Sequence, residues 1–143
     1  MRHEFLESMN LHFSDKADGK KVLLIDDDAQ DLDHLRHVLL DQGREVFTCT
    51  DYDLGARLGA SGIFDLIVVG QGGPEFRGRT VIERALELQP CPSVVVVARS
   101  VDMSCYLQAM ELGVADYLET PLIREQIQHV LCSPRGISGQ REA

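Results

Sequence analysis

The chain has few lysines and no tryptophan. Its 143 residues include three lysines, all at or before position 21, and its formal net charge at pH 7 is −9. A protein that binds nucleic acid through the phosphate backbone needs clustered lysine and arginine side chains. The composition therefore argues against direct nucleic-acid binding.

Long apolar runs are also missing. The longest cover residues 22–25, 66–69 and 94–97, whereas a membrane-spanning helix needs about 20 apolar residues. The first seven residues mix charged and apolar side chains and do not form the continuous apolar core of a secretory signal. We therefore predict a cytoplasmic protein without membrane contact.

The four cysteines show no CxxC spacing; they are Cys49, Cys91, Cys105 and Cys132. Cysteines that hold zinc typically recur at short spacings, and disulfide frameworks are typical of oxidising compartments. We therefore interpret these four residues as reduced thiols, and we expect neither a zinc site nor a disulfide.

A chain of this length is suited to one domain. Residues 1–19 are polar and irregular, which predicts an N-terminal extension; the alternative is a short partner-binding helix that uses Phe5, Leu6, Met9, Leu11 and Phe13. Residues 20–132 form the predicted domain. Residues 133–143 are rich in glycine and serine, which predicts a flexible tail.

Within the predicted domain, short apolar runs with β-branched residues alternate with segments of helical period. The predicted strands cover residues 21–26, 45–50, 65–69, 93–97 and 115–118, and a helix follows each of them. The fourth helix is recognised from Met103, Leu107, Met110 and Leu112. This alternation predicts an α/β fold with a five-stranded parallel sheet, doubly wound as (βα)5. In such sheets the functional residues follow the carboxyl ends of the strands.

Three aspartates, Asp26, Asp27 and Asp28, come at the end of the first predicted strand. Asp26 and Asp27 are adjacent carboxylates that repel each other, and such a pair could hold a divalent cation such as Mg²⁺ through its oxygens. Asp28 can be explained without a metal, because an aspartate at this position can cap the following helix.

These features together resemble the receiver domain of two-component response regulators, over residues 20–132. Residues 24–28 are similar to the strand that carries the family's acid pair, and residues 65–70 to the strand that ends in its phosphoacceptor. Pro74 and Gly78 fall at the family's spacing after that strand, and residues 113–118 with Pro121 match its fifth-strand signature. The resemblance implies a bacterial signalling domain that is not an enzyme.

The chain departs from this family at the phosphorylation site. Gly70 stands where the family has its phosphoacceptor aspartate, Ala98 where it has a threonine or serine that contacts the phosphoryl group, and Thr120 where it has a lysine. Because glycine has no carboxylate, the resemblance implies a degenerate phosphorylation site. Only Asp26 and Asp27 remain, so weak residual Mg²⁺ binding is the one cofactor interaction that we expect.

Tyr117 matches the family's switch aromatic, whose rotamer normally follows the threonine or serine. With Ala98 in that place, we expect the coupling to be lost or permanently set. Arg77 and Arg79 lie in the loop after Gly70, and we hypothesise that they offer the acid pair a positive partner in place of the missing lysine.

Two further features have competing interpretations. The glycine-rich loop at residues 70–74 is typical of a tight turn, with an anion cradle as the less favoured alternative. His34 and His37 could share a metal, but the charged residues around them favour a solvated helix face.

The sequence thus predicts a pseudo-receiver that acts through protein partners and not through aspartyl phosphorylation. By resemblance, the contact face comprises the fourth helix, the fifth strand and the fifth helix, at residues 103–128, and it could also support a homodimer. One alternative is an ion- or small-ligand-responsive module that uses the crevice at Asp26, Asp27 and Gly70. A second is the regulatory part of a longer response regulator with an effector domain downstream.

Overall fold

The computed structural model describes residues 21–132, which form one parallel sheet and the helices around it. In chain order the elements are β1 (Lys21–Ile25), α1 (Ala29–Asp41), β2 (Glu45–Cys49), α2 (Tyr52–Gly59), β3 (Leu66–Gly70), α3 (Arg79–Leu86), β4 (Ser93–Ala98), α4 (Met103–Leu112), β5 (Asp116–Glu119) and α5 (Arg124–Cys132). The predicted N-terminal extension and C-terminal tail lie outside the described residues.

The strands follow the order β2-β1-β3-β4-β5, and all neighbours run parallel. β3 and β4 are buried at every position, which explains why they are uninterrupted runs of apolar residues in the sequence. The direction of strand succession reverses between β1 and β3. The carboxyl ends of these two strands therefore flank the crevice in which open α/β sheets bind ligands.

Helices cover both faces of the sheet. On one face, β-strand side chains pack against α2, α3 and α4, with Ala56, Ile82 and Ala109 among the buried helical residues. On the other face they pack against α1 and α5, where Leu35 and Ile127 are buried. The predicted doubly wound α/β class with five parallel strands is confirmed.

The strand ends differ from the prediction by one residue in several places. β3 runs to Gly70 and β4 to Ala98, because Gly70 pairs with Val97 and Ala98 with Glu119 in the ladder. β1 and β2 end earlier than predicted, and β5 begins and ends one residue later. Hydrogen bonds extend β3 and β4 past the apolar runs from which we predicted them. Residues 21–132 contain no helix that is long and apolar enough to cross a membrane.

Aspartates begin three of the helices at the carboxyl edge of the sheet. The side chains of Asp28, Asp51 and Asp102 accept hydrogen bonds from backbone N–H groups in the first turns of α1, α2 and α4. These bonds satisfy N–H groups in the first turn of each helix that have no acceptor within the helix. The capping interpretation of Asp28 is therefore correct. At the opposite end of α4, Gly113 has a φ of 103°, a left-handed conformation that favours glycine.

The loop between β3 and α3 approaches β3 so closely that Gly78 has no room for a side chain. A Cβ atom there would lie 2.3 Å from the carbonyl oxygen of Gly70 and 3.1 Å from Cγ2 of Val69. The Gly78 N–H donates to the Gln71 carbonyl oxygen at 3.0 Å, which fixes the two backbone segments at this separation.

We predict that Gly78→Ala lowers the free energy of unfolding by about 1–3 kcal/mol, because the backbone has to shift to admit one methyl group. Urea denaturation followed by far-UV circular dichroism measures the change. Thr80→Ala is the matched control, since Thr80 is exposed in the first turn of α3, two residues after Gly78. Equal midpoints for the two variants would contradict the close approach.

Candidate functional site

A polar cleft opens at the carboxyl edge of the sheet, above the ends of β1, β3 and β4. Its volume is about 560 Å³. The lining residues lie at the ends of β1, β3, β4 and β5 or in the segments that follow these strands. They include Asp26, Asp27, Asp28, Asp31, Gly70, Gln71, Arg77, Ala98, Arg99 and Thr120. The structure thus brings the predicted site residues together, with Tyr117 buried beside them.

Asp26 is the buried carboxylate of the cleft, with 9% of its surface exposed. Its Oδ1 accepts a hydrogen bond from the Asp28 N–H at 3.0 Å. Burial, together with the negative charges of Asp31 and Asp27, raises the pKa of Asp26 to about 7. The surroundings of Asp26 therefore favour its protonated form.

Asp27 is paired with an arginine. Nη2 of Arg77 lies 2.5 Å from Oδ2 of Asp27, and Nε of the same guanidinium donates to the Gly72 carbonyl oxygen at 3.0 Å. The guanidinium also stacks over the ring of Tyr52, 5.4 Å from its centroid. Arg77 is thus the positive partner that we hypothesised for the acid pair.

Arg79 does not take part. Its Nε donates to Oε2 of Glu83 at 2.8 Å, and Nη1 contacts Gln108. The second arginine of the cleft is instead Arg99, which pairs with Asp28 and donates through Nε to Oδ2 of Asp31 at 3.0 Å.

Gly70 and Tyr52 meet at the point where a side chain on residue 70 would begin. A Cβ atom on Gly70 would lie 2.9 Å from the Tyr52 hydroxyl oxygen, 3.0 Å from Cγ of Asp26 and 3.1 Å from its Oδ2. The Tyr52 hydroxyl donates to the Gly70 carbonyl oxygen at 3.2 Å. Burial and the nearby charge of Asp26 raise the pKa of Tyr52, so the phenol remains a hydrogen-bond donor. The Tyr52 hydroxyl therefore fills the space beside Gly70.

Ala98 and Thr120 lie at the ends of β4 and β5. Ala98 is buried, with 6% exposed, and its methyl group has no donor. The Thr120 N–H and hydroxyl both donate to the Ala98 carbonyl oxygen, at 2.8 and 3.4 Å. The Thr120 hydroxyl is thus directed at the backbone of β4, and the peptide from Thr120 to Pro121 is cis.

Tyr117 points inward and is 9% exposed. Its hydroxyl accepts a hydrogen bond from the Asp102 N–H at 3.1 Å and donates to Oε1 of Gln71. Its ring meets the ring of Tyr106 edge to face, with the centroids 5.4 Å apart. Burial raises the pKa of Tyr117, so its hydroxyl keeps its proton.

The donors do not fit a dedicated divalent-cation site. Mg²⁺ takes six oxygens in near-ideal octahedral geometry, whereas Asp27 is bound to Arg77 and Gly70 contributes no carboxylate. Among residues 21–132, no three or more histidine, cysteine, aspartate or glutamate side chains are arranged to hold a metal. His34 and His37 are exposed on α1, and Nδ1 of His37 lies 2.9 Å from the carbonyl oxygen of Asp33.

Sequence reasoning missed Tyr52, Gln71 and Arg99. Gln71 and Arg99 directly follow β3 and β4, so the rule that functional residues follow strand ends already pointed to them. Neither residue is an acid or a hydroxyl donor, which are the residue types that phosphoryl chemistry would require there. Tyr52 directly follows the cap Asp51, and no local pattern distinguishes it from a surface tyrosine.

Three solved structures that share this fold are a response regulator and two receiver domain proteins. A response regulator from Burkholderia pseudomallei, with a phosphorylated aspartic acid, a calcium ion and citrate, has a TM-score of 0.70 and 24% identity, over 86% of this chain and 71% of that chain. The receiver domain of sensor histidine kinase PA1611 from Pseudomonas aeruginosa, with magnesium in its active-site cleft, has a TM-score of 0.68 and 18% identity, over 79% and 94%. A CheY-like receiver domain protein from Methanospirillum hungatei has a TM-score of 0.70 and 22% identity, over 87% and 99%.

A curated relative is the alginate biosynthesis transcriptional regulatory protein AlgB of Pseudomonas aeruginosa, which is 28% identical over 108 residues. The match covers 76% of this chain and 24% of AlgB, so the chain spans about a quarter of that protein's length. The family model described as the response regulator receiver domain matches residues 22–131. The chain therefore belongs to the response regulator receiver domain family.

Proposed function

We propose that this receiver domain is a pseudo-receiver, which signals in a two-component system through protein contacts and without aspartyl phosphorylation. The observation that carries the proposal is the contact of Gly70 with Tyr52 and Asp26. Phosphoryl transfer needs a nucleophilic carboxylate at the end of β3. Gly70 offers none, and the Tyr52 hydroxyl occupies the space into which such a side chain would extend.

The surrounding groups support the same proposal. Ala98 has no hydroxyl for a phosphoryl oxygen, and the hydroxyl of Thr120 is directed at the Ala98 backbone. The arginines Arg77 and Arg99 are paired with carboxylates of the cleft. Of these four side chains, Ala98 offers no donor and the other three are already bonded within the domain.

Signal output then depends on a surface. On α4 and directly before it, four exposed apolar side chains form what we call the α4 stripe: Val101, Met103, Leu107 and Met110, which are between 37% and 63% exposed. Three of them recur at the spacing that places side chains on one helix face. Exposed apolar side chains that share one helix face offer a contact surface to another protein.

The charge of the chain indicates the kind of partner. The net charge of the 143 residues is −9, and exposed acids such as Glu111, Glu119 and Glu125 lie on α4, β5 and α5. We therefore propose a signalling protein that offers an apolar contact with lysine or arginine side chains around it. A homodimer through this face would place acidic surfaces against each other, and is the second candidate.

The ion- or ligand-responsive alternative is favoured by one observation, the open polar cleft beside Asp26 and Asp27. It predicts saturable binding of Mg²⁺ at this cleft. The alternative of a regulatory part of a longer regulator is favoured by the match to AlgB, of which the chain covers 24%.

We predict that the wild-type domain gains no phosphoryl group from acetyl phosphate. Two-dimensional amide NMR is recorded first with Mg²⁺ and then with the donor, and intact mass spectrometry detects an adduct. A phosphorylatable receiver domain is the positive control. An adduct on any aspartate would disprove the pseudo-receiver, and saturable Mg²⁺ shifts at Asp26, Asp27 and Gly70 would favour the ligand-responsive alternative.

We further predict that Gly70→Asp alone leaves the domain unphosphorylated and lowers the free energy of unfolding by about 1–3 kcal/mol, because its Cβ would overlap the Tyr52 hydroxyl. Tyr52→Ala introduced into this variant relieves part of the loss. Urea denaturation of the four members of the double-mutant cycle measures this coupling. Strictly additive effects would show that Tyr52 does not obstruct position 70.

The raised pKa of Asp26 predicts a pH dependence of stability. Because the folded state holds this proton up to a pH of about 7 and the unfolded state only to about 4, the stabilisation is complete below pH 4 and is lost as pH rises through 7. Asp31, Asp27, Arg99 and Tyr52 are the titratable or charged groups around it.

Asp26→Asn should therefore be more stable than wild type at pH 8, and the difference should shrink as pH falls and disappear at about pH 4. Thermal unfolding monitored by circular dichroism across this range is the measurement. Asp33→Asn is a suitable control, because Asp33 is exposed on α1. A wild-type advantage at pH 8 would mean that the Asp26 carboxylate is stabilised as an anion.

We predict that Leu107→Asp weakens binding to the signalling partner about tenfold or more, because it places a charge in the apolar contact. Binding is measured with purified two-component proteins of the same cell, and Gln30→Leu on α1 is the control. Binding that is insensitive to Leu107→Asp would exclude the α4 stripe. Analytical ultracentrifugation separates the candidates, since self-association that Leu107→Asp abolishes would make a second copy the occupant.

A further inference from the structure

Gln71 is a buried polar residue that the family resemblance does not explain. It directly follows β3 and is 6% exposed. Its backbone is held on both sides, because its N–H donates to the Val97 carbonyl oxygen at 2.8 Å and its own carbonyl oxygen accepts from the Gly78 N–H at 3.0 Å. The side chain is therefore presented from a fixed backbone position.

Both polar atoms of the Gln71 side chain are used. Oε1 accepts the hydrogen bond from the Tyr117 hydroxyl, and Nε2 donates to the Gly73 carbonyl oxygen at 3.1 Å. A buried amide has to satisfy both its donor and its acceptor. Because one amide group bonds both the Tyr117 hydroxyl and the Gly73 carbonyl oxygen, Gln71 fixes the tyrosine and the loop after β3 relative to each other.

Tyr117 also forms a hydrogen bond at the beginning of α4. Its hydroxyl oxygen accepts from the N–H of Asp102 at 3.1 Å, and Asp102 in turn caps α4 through the Cys105 N–H at 3.0 Å. The thiol of Cys105 lies against the carbonyl oxygens of Gly73 and Pro74, at 3.9 and 3.8 Å. The loop after β3, the tyrosine and the first turn of α4 therefore form one hydrogen-bonded unit.

Position 98 contributes only a methyl group to this unit. In a receiver with a threonine or serine at this position, the rotamer of the tyrosine is coupled to that residue, which in turn responds to the phosphoryl group. Here Tyr117 donates its hydrogen bond to Gln71, a side chain whose presence does not depend on a phosphoryl group. Asp102 connects this hydrogen-bond network to α4. It lies between Val101 and Met103, which are two members of the α4 stripe.

We infer that Gln71 is a positioning residue that holds Tyr117 inward and thereby fixes the amino end of α4, and the stripe that begins there, in one arrangement that needs no phosphoryl group. This inference rests on the proposed function, because it gives the mechanism by which a domain without a phosphoacceptor keeps its contact surface ordered. Loss of the Gln71 acceptor should release Tyr117 and the Asp102 N–H together.

The test measures hydrogen exchange at the Asp102 amide by NMR, and the ring signals of ¹³C-labelled tyrosine. The chain has three tyrosines and no tryptophan, so the Tyr117 signal is assigned from its loss in Tyr117→Phe. We expect Gln71→Leu and Tyr117→Phe each to accelerate exchange at Asp102 about fivefold, the effect of one lost hydrogen bond. The double variant should add little to either, because both changes break the same chain of bonds.

Two further variants separate positioning from general support of the fold. Gln71→Glu keeps the oxygen that accepts from Tyr117 but loses the donor to Gly73, so its exchange at Asp102 should stay slower than in Gln71→Leu and Tyr117→Phe. Gln30→Leu, on the exposed face of α1, should change nothing. Exchange at Val96 in the centre of β4 reports on global opening. If Gln71→Leu does not fold, the contrast between Gln71→Glu and Tyr117→Phe still decides the matter.

Unchanged exchange at Asp102 and an unchanged Tyr117 signal in Gln71→Leu would overturn the inference. So would an equal acceleration at Asp102 and Val96, because Gln71 would then support the whole fold. Failure of the proposed function appears elsewhere, as a phosphoryl adduct on the wild-type chain. The two failures are therefore distinguishable.

Discussion

Repulsion among the carboxylates at the end of β1 is the constraint on which the arrangement of this edge depends. Asp26, Asp27, Asp28 and Asp31 all line one cleft, and no lysine after position 21 is available to balance them. One carboxylate is buried and tends to keep its proton, and the other three are paired with arginines from the β3–α3 loop and the end of β4. Arginine suits this role because it stays charged and donates in two directions. Ion pairs as exposed as these add little to the free energy of unfolding, so their main effect is that the carboxylate oxygens are occupied.

The sequence was sufficient to predict the sheet and the edge that carries the site. Strands that are covered on both faces have to be apolar at every position, and the alternation with helical segments leaves few topologies. The contents of the cleft were less accessible. Tyr52 and Gly70 are separated by 18 residues, and Asp27 and Arg77 by 50. A local pattern reports on neighbours along the chain, whereas these contacts depend on how loops meet after the sheet has formed.

α4 illustrates the same limit within one element. We recognised it from Met103, Leu107 and Met110, which are exposed, while the residues that it buries are the small Cys105 and Ala109. Helical period is the same for either face, so the pattern predicts a helix without showing which side packs on the sheet. Small side chains let the helix approach the sheet closely, and the larger apolar residues are left for solvent or for a partner.

The Tyr52 hydroxyl against Gly70 bears on how such a domain can be controlled. In a receiver that is phosphorylated, a kinase and a phosphatase set the fraction of modified molecules. If position 70 is closed to phosphorylation, as we propose, the domain has no such fraction and the occupancy of its partner follows mass action alone. The abundance of the chain, and therefore its synthesis and degradation, would then set the time course of the response.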